Sequence, residues 1–203
     1  MKKNTITVVV LSAIISLTLR CSAPPQPGAF IPQGLGAAGV AFHGKTFTCV
    51  NVVDGDTIDI ALHPADPNLT RIRLLGVDTP ETKHPRMPVQ YFGPESSRYV
   101  TSVCLNRTVI IALDPVSDIR GYYGRLLAYI QLDDGSILQE RLLTLGFAYA
   151  DTRFPYSHKA HYIELERMAR TSGTGLWQHV TFDQLPPWIR RTNPDILSDR
   201  LSE

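Results

Sequence analysis

The period of apolar and polar positions changes several times along the chain, and the changes mark its elements. Residues 47–53 and 57–62 are rich in β-branched side chains and read as strands flanking Asp54-Gly55, a favoured hairpin pair. A second turn, His63-Pro64-Ala65-Asp66-Pro67-Asn68, leads into a third strand at 69–77, after which Pro80 bars further sheet pairing. Residues 81–92 are polar, contain proline and lack a period, as an exposed loop does. Pro94 and Glu95 suit the first turn of a helix whose apolar stripe is Tyr99, Val100, Val103 and Cys104. Strands at 107–113 and 126–132 follow, the second closed by Asp133-Asp134-Gly135. Ser136 and Gln139 have the form of a capping box for a second helix carrying Leu138, Leu142 and Leu145, stopped by Gly146. Residues 147–150 are short and extended. Ser157 is placed to cap a third helix through Tyr162, Leu165 and Met168, ending near Gly173, and Gly175-Leu176-Trp177 offers a large side chain to close the core.

Five strands with a helix inserted after the third, followed by further helices, predict an α+β fold, mainly β: a five-stranded OB-type barrel with three helices. Residues 45–180 make one domain. Before it, residues 21–44 are rich in Pro, Gly and Ala with little that can bury a core, and read as a flexible tether. After it, residues 181–203 read as a polar tail.

At the start, Lys2 and Lys3 precede an apolar run over 6–19, too short for a comfortable membrane span but suited to a secretory signal at 1–20. Cys21 follows directly, ahead of Ser22-Ala23-Pro24-Pro25. This resembles a bacterial lipoprotein leader, in which the cysteine becomes a lipidated first residue; cleavage near Ala23 or an uncleaved anchor are the alternatives. The expectation is an exported protein, lipid-anchored or secreted, monomeric, touching membrane only through a lipid at Cys21. Three of the 20 Lys and Arg residues would leave with the leader, so that 17 face 19 acidic residues. Any polyanion must then be held by a local basic cluster, not by the field of the whole protein. Without Cys21, Cys49 and Cys104 remain, either as one bridge between the first strand and first helix or as two buried thiols.

The candidate chemistry lies at the end of the third strand. Asp78 and Glu81 stand three residues apart, with Arg73 five residues before Asp78, and Asp54-Gly55-Asp56-Thr57 adds two more acids from the first hairpin. Taken singly these are more often a turn and a strand end with solvated acids. Together, carboxylates, backbone carbonyls and a guanidinium suit a divalent cation and a phosphodiester, and no His or Cys cluster competes for zinc.

Asp54-Gly55-Asp56-Thr57, Arg73, Val77-Asp78-Thr79-Pro80-Glu81-Thr82-Lys83-His84-Pro85, Tyr91-Phe92-Gly93-Pro94-Glu95 and Tyr123-Gly124-Arg125-Leu126-Leu127-Ala128-Tyr129 occur in this order and spacing. Over residues 46–178 the chain resembles the staphylococcal nuclease (thermonuclease) family. That resemblance implies an OB-type barrel with three helices and calcium-dependent hydrolysis of DNA and RNA to 3′-phosphate ends. It implies further that Asp56, Asp78 and the carbonyl of Thr79 hold Ca2+, with Asp54 supporting through water. Glu81 would activate the attacking water, and Arg73 and Arg125 would clamp the phosphate. Tyr123 matches a residue near the bound nucleotide, though a half-buried strand-end tyrosine is an equal reading. Gly121 stands where the family often has Asp, and Asp118 is a possible substitute. Phe154 and Tyr156 are the candidates for covering a base, and Lys83, Arg86, Arg71 and Arg120 for a phosphate track. His158 and His161 read as surface or packing residues. The competing classes are a nucleic-acid-binding barrel without catalysis and an envelope surface protein.

Overall fold

The computed structural model describes residues 35–63 and 68–198, and the leader, Cys21 and the last residues lie outside them. The chain opens with helix α1 (Gly36–Phe42) and then runs β1 (Thr46–Asp54), β2 (Thr57–Ala61), β3 (Leu69–Leu74) and the short β4 (Val77–Asp78). Helix α2 (Gly93–Cys104) precedes β5 (Thr108–Ala112) and β6 (Leu126–Gln131). Helix α3 (Leu138–Thr144), β7 (Tyr149–Ala150), α4 (Lys159–Thr171) and α5 (Pro187–Thr192) complete it, with 3-10 turns at Gly175–Gln178 and Phe182–Gln184.

The strands close a barrel in the order β1-β2-β3-β6-β5, with β4 and β7 paired as a separate two-stranded ribbon. All barrel pairs are antiparallel except β3 with β6, which are parallel with Arg73 opposite Leu127. This is the expected OB-type architecture. Closure removes the exposed sheet edges and turns alternate side chains inward, so Ile58, Ile60, Ile72, Leu74, Ile111 and Ile130 pack a dry interior.

β3 is shorter than its apolar run because Gly76, at φ +81°, reverses the chain between β3 and β4. A Cβ there would also lie 2.7 Å from the ring of Tyr156. The turn carries Asp78 out of the barrel wall and into the ribbon with β7, where it pairs with Tyr149.

Five local readings are corrected. The segment read as the end of a tether forms α1, with Leu35 and Phe42 buried and Phe42 against Phe47 at 5.9 Å. Its small residues hide two apolar anchors seven positions apart, on one helix face. The Ser136–Gln139 box does not form: Ile137 is the N-cap, Ser136 bonds Asp134, and the buried Gln139 bonds the backbone N–H of Ile130 and carbonyl of Ala128. On α4, Met168 faces solvent while Glu166 and Arg170 turn inward as an ion pair of 2.8 Å. His158, not Ser157, is its N-cap, and Ser157 bonds Asp114 instead.

The fifth concerns the polar tail. Leu185, Trp188, Ile189 and Ile196 join Tyr149, Trp177 and Val180 in a second core cluster beside the barrel. Prolines and short turns break any period in this stretch, so its apolar residues converge only through the fold. Cys49 and Cys104 are both buried free thiols, and burial pushes them up to about 11 and about 12.

Candidate active site

The expected residues come from elements that meet at one end of the barrel. Asp54 ends β1, Asp56 sits in the hairpin turn, Arg73 is opposite Thr57 on β3, Asp78 is on β4, and Arg125 immediately precedes β6. They line an open cleft of about 1240 Å³ together with Thr79 and Glu81.

Arg73 is the link between them. Its Nη1 donates to the carbonyls of Leu74 and Val77, at 3.0 and 2.6 Å, fixing the fork. Its Nη2 lies 2.8 Å from Asp78 Oδ1 and 3.1 Å from Asp56 Oδ2. Asp56 also accepts from Thr57 Oγ1 and from the backbone N–H of Thr79, which ties the hairpin to the strand end. Desolvation raises the pKa of Asp78; Arg73 opposes this and the neighbouring Asp56 adds to it.

Asp54 is tied to the neighbouring loop and helix by hydrogen bonds. Its oxygens accept from Gly55 N, Thr82 N, Thr82 Oγ1 and Ser97 Oγ, so it pins the loop after Glu81 to α2. Burial works against its ionisation, but these bonds outweigh it and hold its pKa low. Glu81 accepts from Lys83 N at 2.7 Å. Partial burial, with Asp54 and Asp56 nearby, raises its pKa and so makes it a stronger base than a free carboxylate.

Arg125 lies across from the acids, its guanidinium 5.6 Å from the Tyr123 ring centroid. Its pKa is lowered by desolvation and then by Arg73, so two guanidiniums share this part of the cleft. Its Nε is buried and has no hydrogen-bond partner among the described residues. A desolvated cation with an unused donor, beside a second cation, attracts an oxyanion.

Among the described residues no group of three or more His, Cys, Asp or Glu side chains could hold a metal ion by itself. A cation here would rest on two carboxylates, with carbonyl oxygen and water completing its shell. The donors fit that arrangement, since Asp56 Oδ2 and Asp78 Oδ1 already converge on one cationic nitrogen. Thr79 beside them is buried, with its Oγ1 unpartnered. An oxygen-only set suits a hard divalent ion such as Ca2+.

The other readings divide. Tyr123 is 78% exposed, not half-buried, and lines the cleft with Tyr122 and Asp118. Phe154 is exposed on the cleft wall, whereas Tyr156 lines the same cleft but is buried, with its hydroxyl donating to the carbonyl of Gly76. Lys83, Arg71 and Arg120 line the cleft, but Arg86 does not; Arg71 is held by a two-bond pair with Asp59. His158 packs on Tyr129, and His161 pairs with Glu140 at 3.4 Å. Arg153 and Trp188 are site residues that the local pattern does not reveal. Arg153 pairs with Asp151 and Asp78, and the Trp188 indole donates to Asp78 Oδ2 at 2.7 Å. The sole sign of Trp188 is an aromatic residue set among prolines and arginines in an otherwise polar stretch.

Fold and site together define an OB-type barrel whose cleft holds two carboxylates bridged by one arginine, with a second arginine beside them. The chain belongs to the staphylococcal nuclease family: residues 71–179 match the family described as Staphylococcal nuclease homologue. It is 32% identical over 173 residues to the thermonuclease of Staphylococcus hyicus, covering 85% of this chain and 95% of that one. It is 33% identical over 136 residues to the thermonuclease of Staphylococcus intermedius, covering 66% and 77%. With the endonuclease YncB of Bacillus subtilis (strain 168) it shares 33% over 134 residues, covering 64% and 60%.

Proposed function

We propose that this protein is a nuclease, an endonuclease that hydrolyses phosphodiester bonds of DNA and RNA with Ca2+ and leaves 3′-phosphate ends. The observation that carries the reading is Arg125, desolvated, beside Arg73, with its Nε unpaired, across one cleft from Glu81 and the Asp56–Asp78 pair. The thermonuclease and endonuclease names of its relatives support the same class.

In this mechanism a phosphodiester enters with its non-bridging oxygens toward Arg125 and Arg73. Glu81 takes a proton from the attacking water, whose oxygen forms the new bond to phosphorus. The bond to the 5′-oxygen breaks, and that oxygen leaves as it takes a proton from solvent water. Charge growing on the phosphoryl oxygens is met by two guanidiniums that cannot lose their protons: the planar fork of Arg125 bonds two oxygens at once, and Arg73, held by its own partners, adds its charge. Asp56, Asp78 and the Thr79 carbonyl would hold the Ca2+, which when bound would add Lewis-acid neutralisation of the same oxygens. Single strands fit an open cleft whose rim carries exposed Tyr122, Tyr123 and Phe154, because bases stack on such rings without regard to sequence.

The test is degradation of DNA and of RNA by the purified protein, with calcium and with chelator. Loss of high-molecular-weight substrate in calcium alone is expected. A protein that binds an oligonucleotide but cleaves neither polymer in calcium is a binding module instead, and the enzyme reading then fails.

A further inference from the structure

We propose that Trp188, from the segment beyond the matched family region, is a positioning residue that sets Asp78 to receive a cation. The inference rests on the calcium-dependent reading above and adds to it the chain's own way of orienting a ligand.

The two oxygens of Asp78 have separate partners. Oδ1 faces Arg73 Nη2, the same atom that receives Asp56 Oδ2. Oδ2 points the other way, accepting from Trp188 Nε1 at 2.7 Å and lying 3.3 Å from Arg153 Nη2. Trp188 also acts on the second of these partners, since the Arg153 guanidinium lies 4.6 Å from its ring centroid. Arg153 is fixed from its other side by Asp151, at 2.8 Å from both Nε and Nη2. One indole therefore holds Oδ2 directly through its N–H and again through the arginine on its face.

A carboxylate on a two-residue strand can turn about its side-chain bonds. Pinning Oδ2 leaves Oδ1 on Arg73 Nη2, where Asp56 Oδ2 also converges, and oxygens of two carboxylates converging on one cationic centre are the arrangement that a shared ion needs. Hydrogen bonds of this kind behind a metal ligand are typically worth about 10- to 100-fold in affinity. Trp188 is itself 8% exposed and seated in the second core cluster with Ile189 and Ile196, so its donor is held still. Packing of the C-terminal segment is in this way connected to the site.

The chain has two tryptophans, and Trp177 Nε1 has no partner among the described residues. The pair supplies a probe and its control. In the full-length protein, calcium titration followed by NMR of 15N-labelled indoles should move the Trp188 Nε1–H signal and leave that of Trp177 in place. Trp188→Phe keeps a ring for Arg153 and for the core but removes the donor. Calorimetry without nucleic acid should show its calcium Kd raised about 10- to 100-fold. Cleavage should weaken at low calcium and recover as calcium is raised. Ile196→Ala loosens the same cluster without touching Asp78, and should lower Tm while calcium affinity stays within about twofold of wild type. Equal calcium affinity in wild type and Trp188→Phe overturns the inference alone, as does an unresponsive Trp188 signal if the variant does not fold. Wild-type protein that binds no calcium overturns the calcium-dependent reading, and this inference with it.

Discussion

In the proposed mechanism Glu81 is the base and the two arginines are the clamp, and each yields a distinct outcome on substitution. Glu81→Gln keeps the shape and removes the base, so turnover should fall by about 100- to 10,000-fold, measured at saturating calcium. Its raised pKa means that its ionised form is disfavoured in the folded protein, so above the unfolded pKa the charge costs stability. Gln removes that cost, and thermal melting should be unchanged or slightly higher. Melting well below wild type would show that Glu81 has a structural role that the cleft does not suggest. Arg125→Lys keeps one charge but loses the fork, and cleavage should drop strongly while the fold survives. Asp56→Asn and Asp78→Asn should instead weaken calcium, with activity partly regained at higher calcium concentration.

At the scale of elements, the site depends on a turn and on a buried acid remote from the cleft. Gly76 lets β3 hand the chain to β4, so Gly76→Ala meets both a positive φ and the Tyr156 ring. It should cost at least about 1–2 kcal/mol in urea unfolding and lower activity by displacing Asp78 from Arg73. Asp114 joins the end of β5 to β6 and to the start of α4, accepting from Tyr129 Oη at 2.5 Å, from Ser157 N and Oγ, and from Val116 N. Burial opposes its charge, yet these bonds prevail and its pKa is lowered. Its folded pKa lies below its unfolded one, so its contribution is present above about pH 4 and lost as pH falls through the folded value. Asp114→Asn should cost about 1.5–3 kcal/mol at neutral pH and flatten the acid limb of the stability profile. An unchanged acid limb would mean that other carboxylates dominate acid unfolding.

For the molecule as a whole, two cores carry the fold: the barrel interior and the cluster where β7, α4 and the C-terminal segment meet. Cys49 and Cys104 belong to the first, and a thiol reagent should find them unreactive in the folded protein and both reactive once it is unfolded without reductant. Failure of both to react after unfolding would indicate a bridge. We propose that the protein is exported and anchored by lipid at Cys21. Intact mass from cells should show a lipid-modified Cys21 as the first residue; an unmodified start at Ser22 or later would remove the anchor and leave export standing.

The acids, Arg73 and the barrel strands were legible because their information is local. Asp54-Gly55-Asp56-Thr57 is a hairpin signal whatever surrounds it, β-branched runs bury in one way, and Arg73 and Asp78 stand a fixed few residues apart across a glycine turn. Family spacing added Arg125, which no local pattern connects to the rest. Gln139 and Trp188 were not legible, because each owes its place to a partner on another element, and Phe42 and the Glu166–Arg170 pair have near partners in sequence but are turned inward only by the fold. A buried polar side chain is tolerated where another element supplies its hydrogen bonds, and one chain pattern cannot state which element will. So the sequence by itself determined the barrel strands and brought forward the acids and arginines as candidates for a cation and a phosphate. Only the tertiary structure decided that Asp54 would brace a loop, that Arg73 would bridge two acids, and that an indole 110 residues from Asp78 would orient its carboxylate.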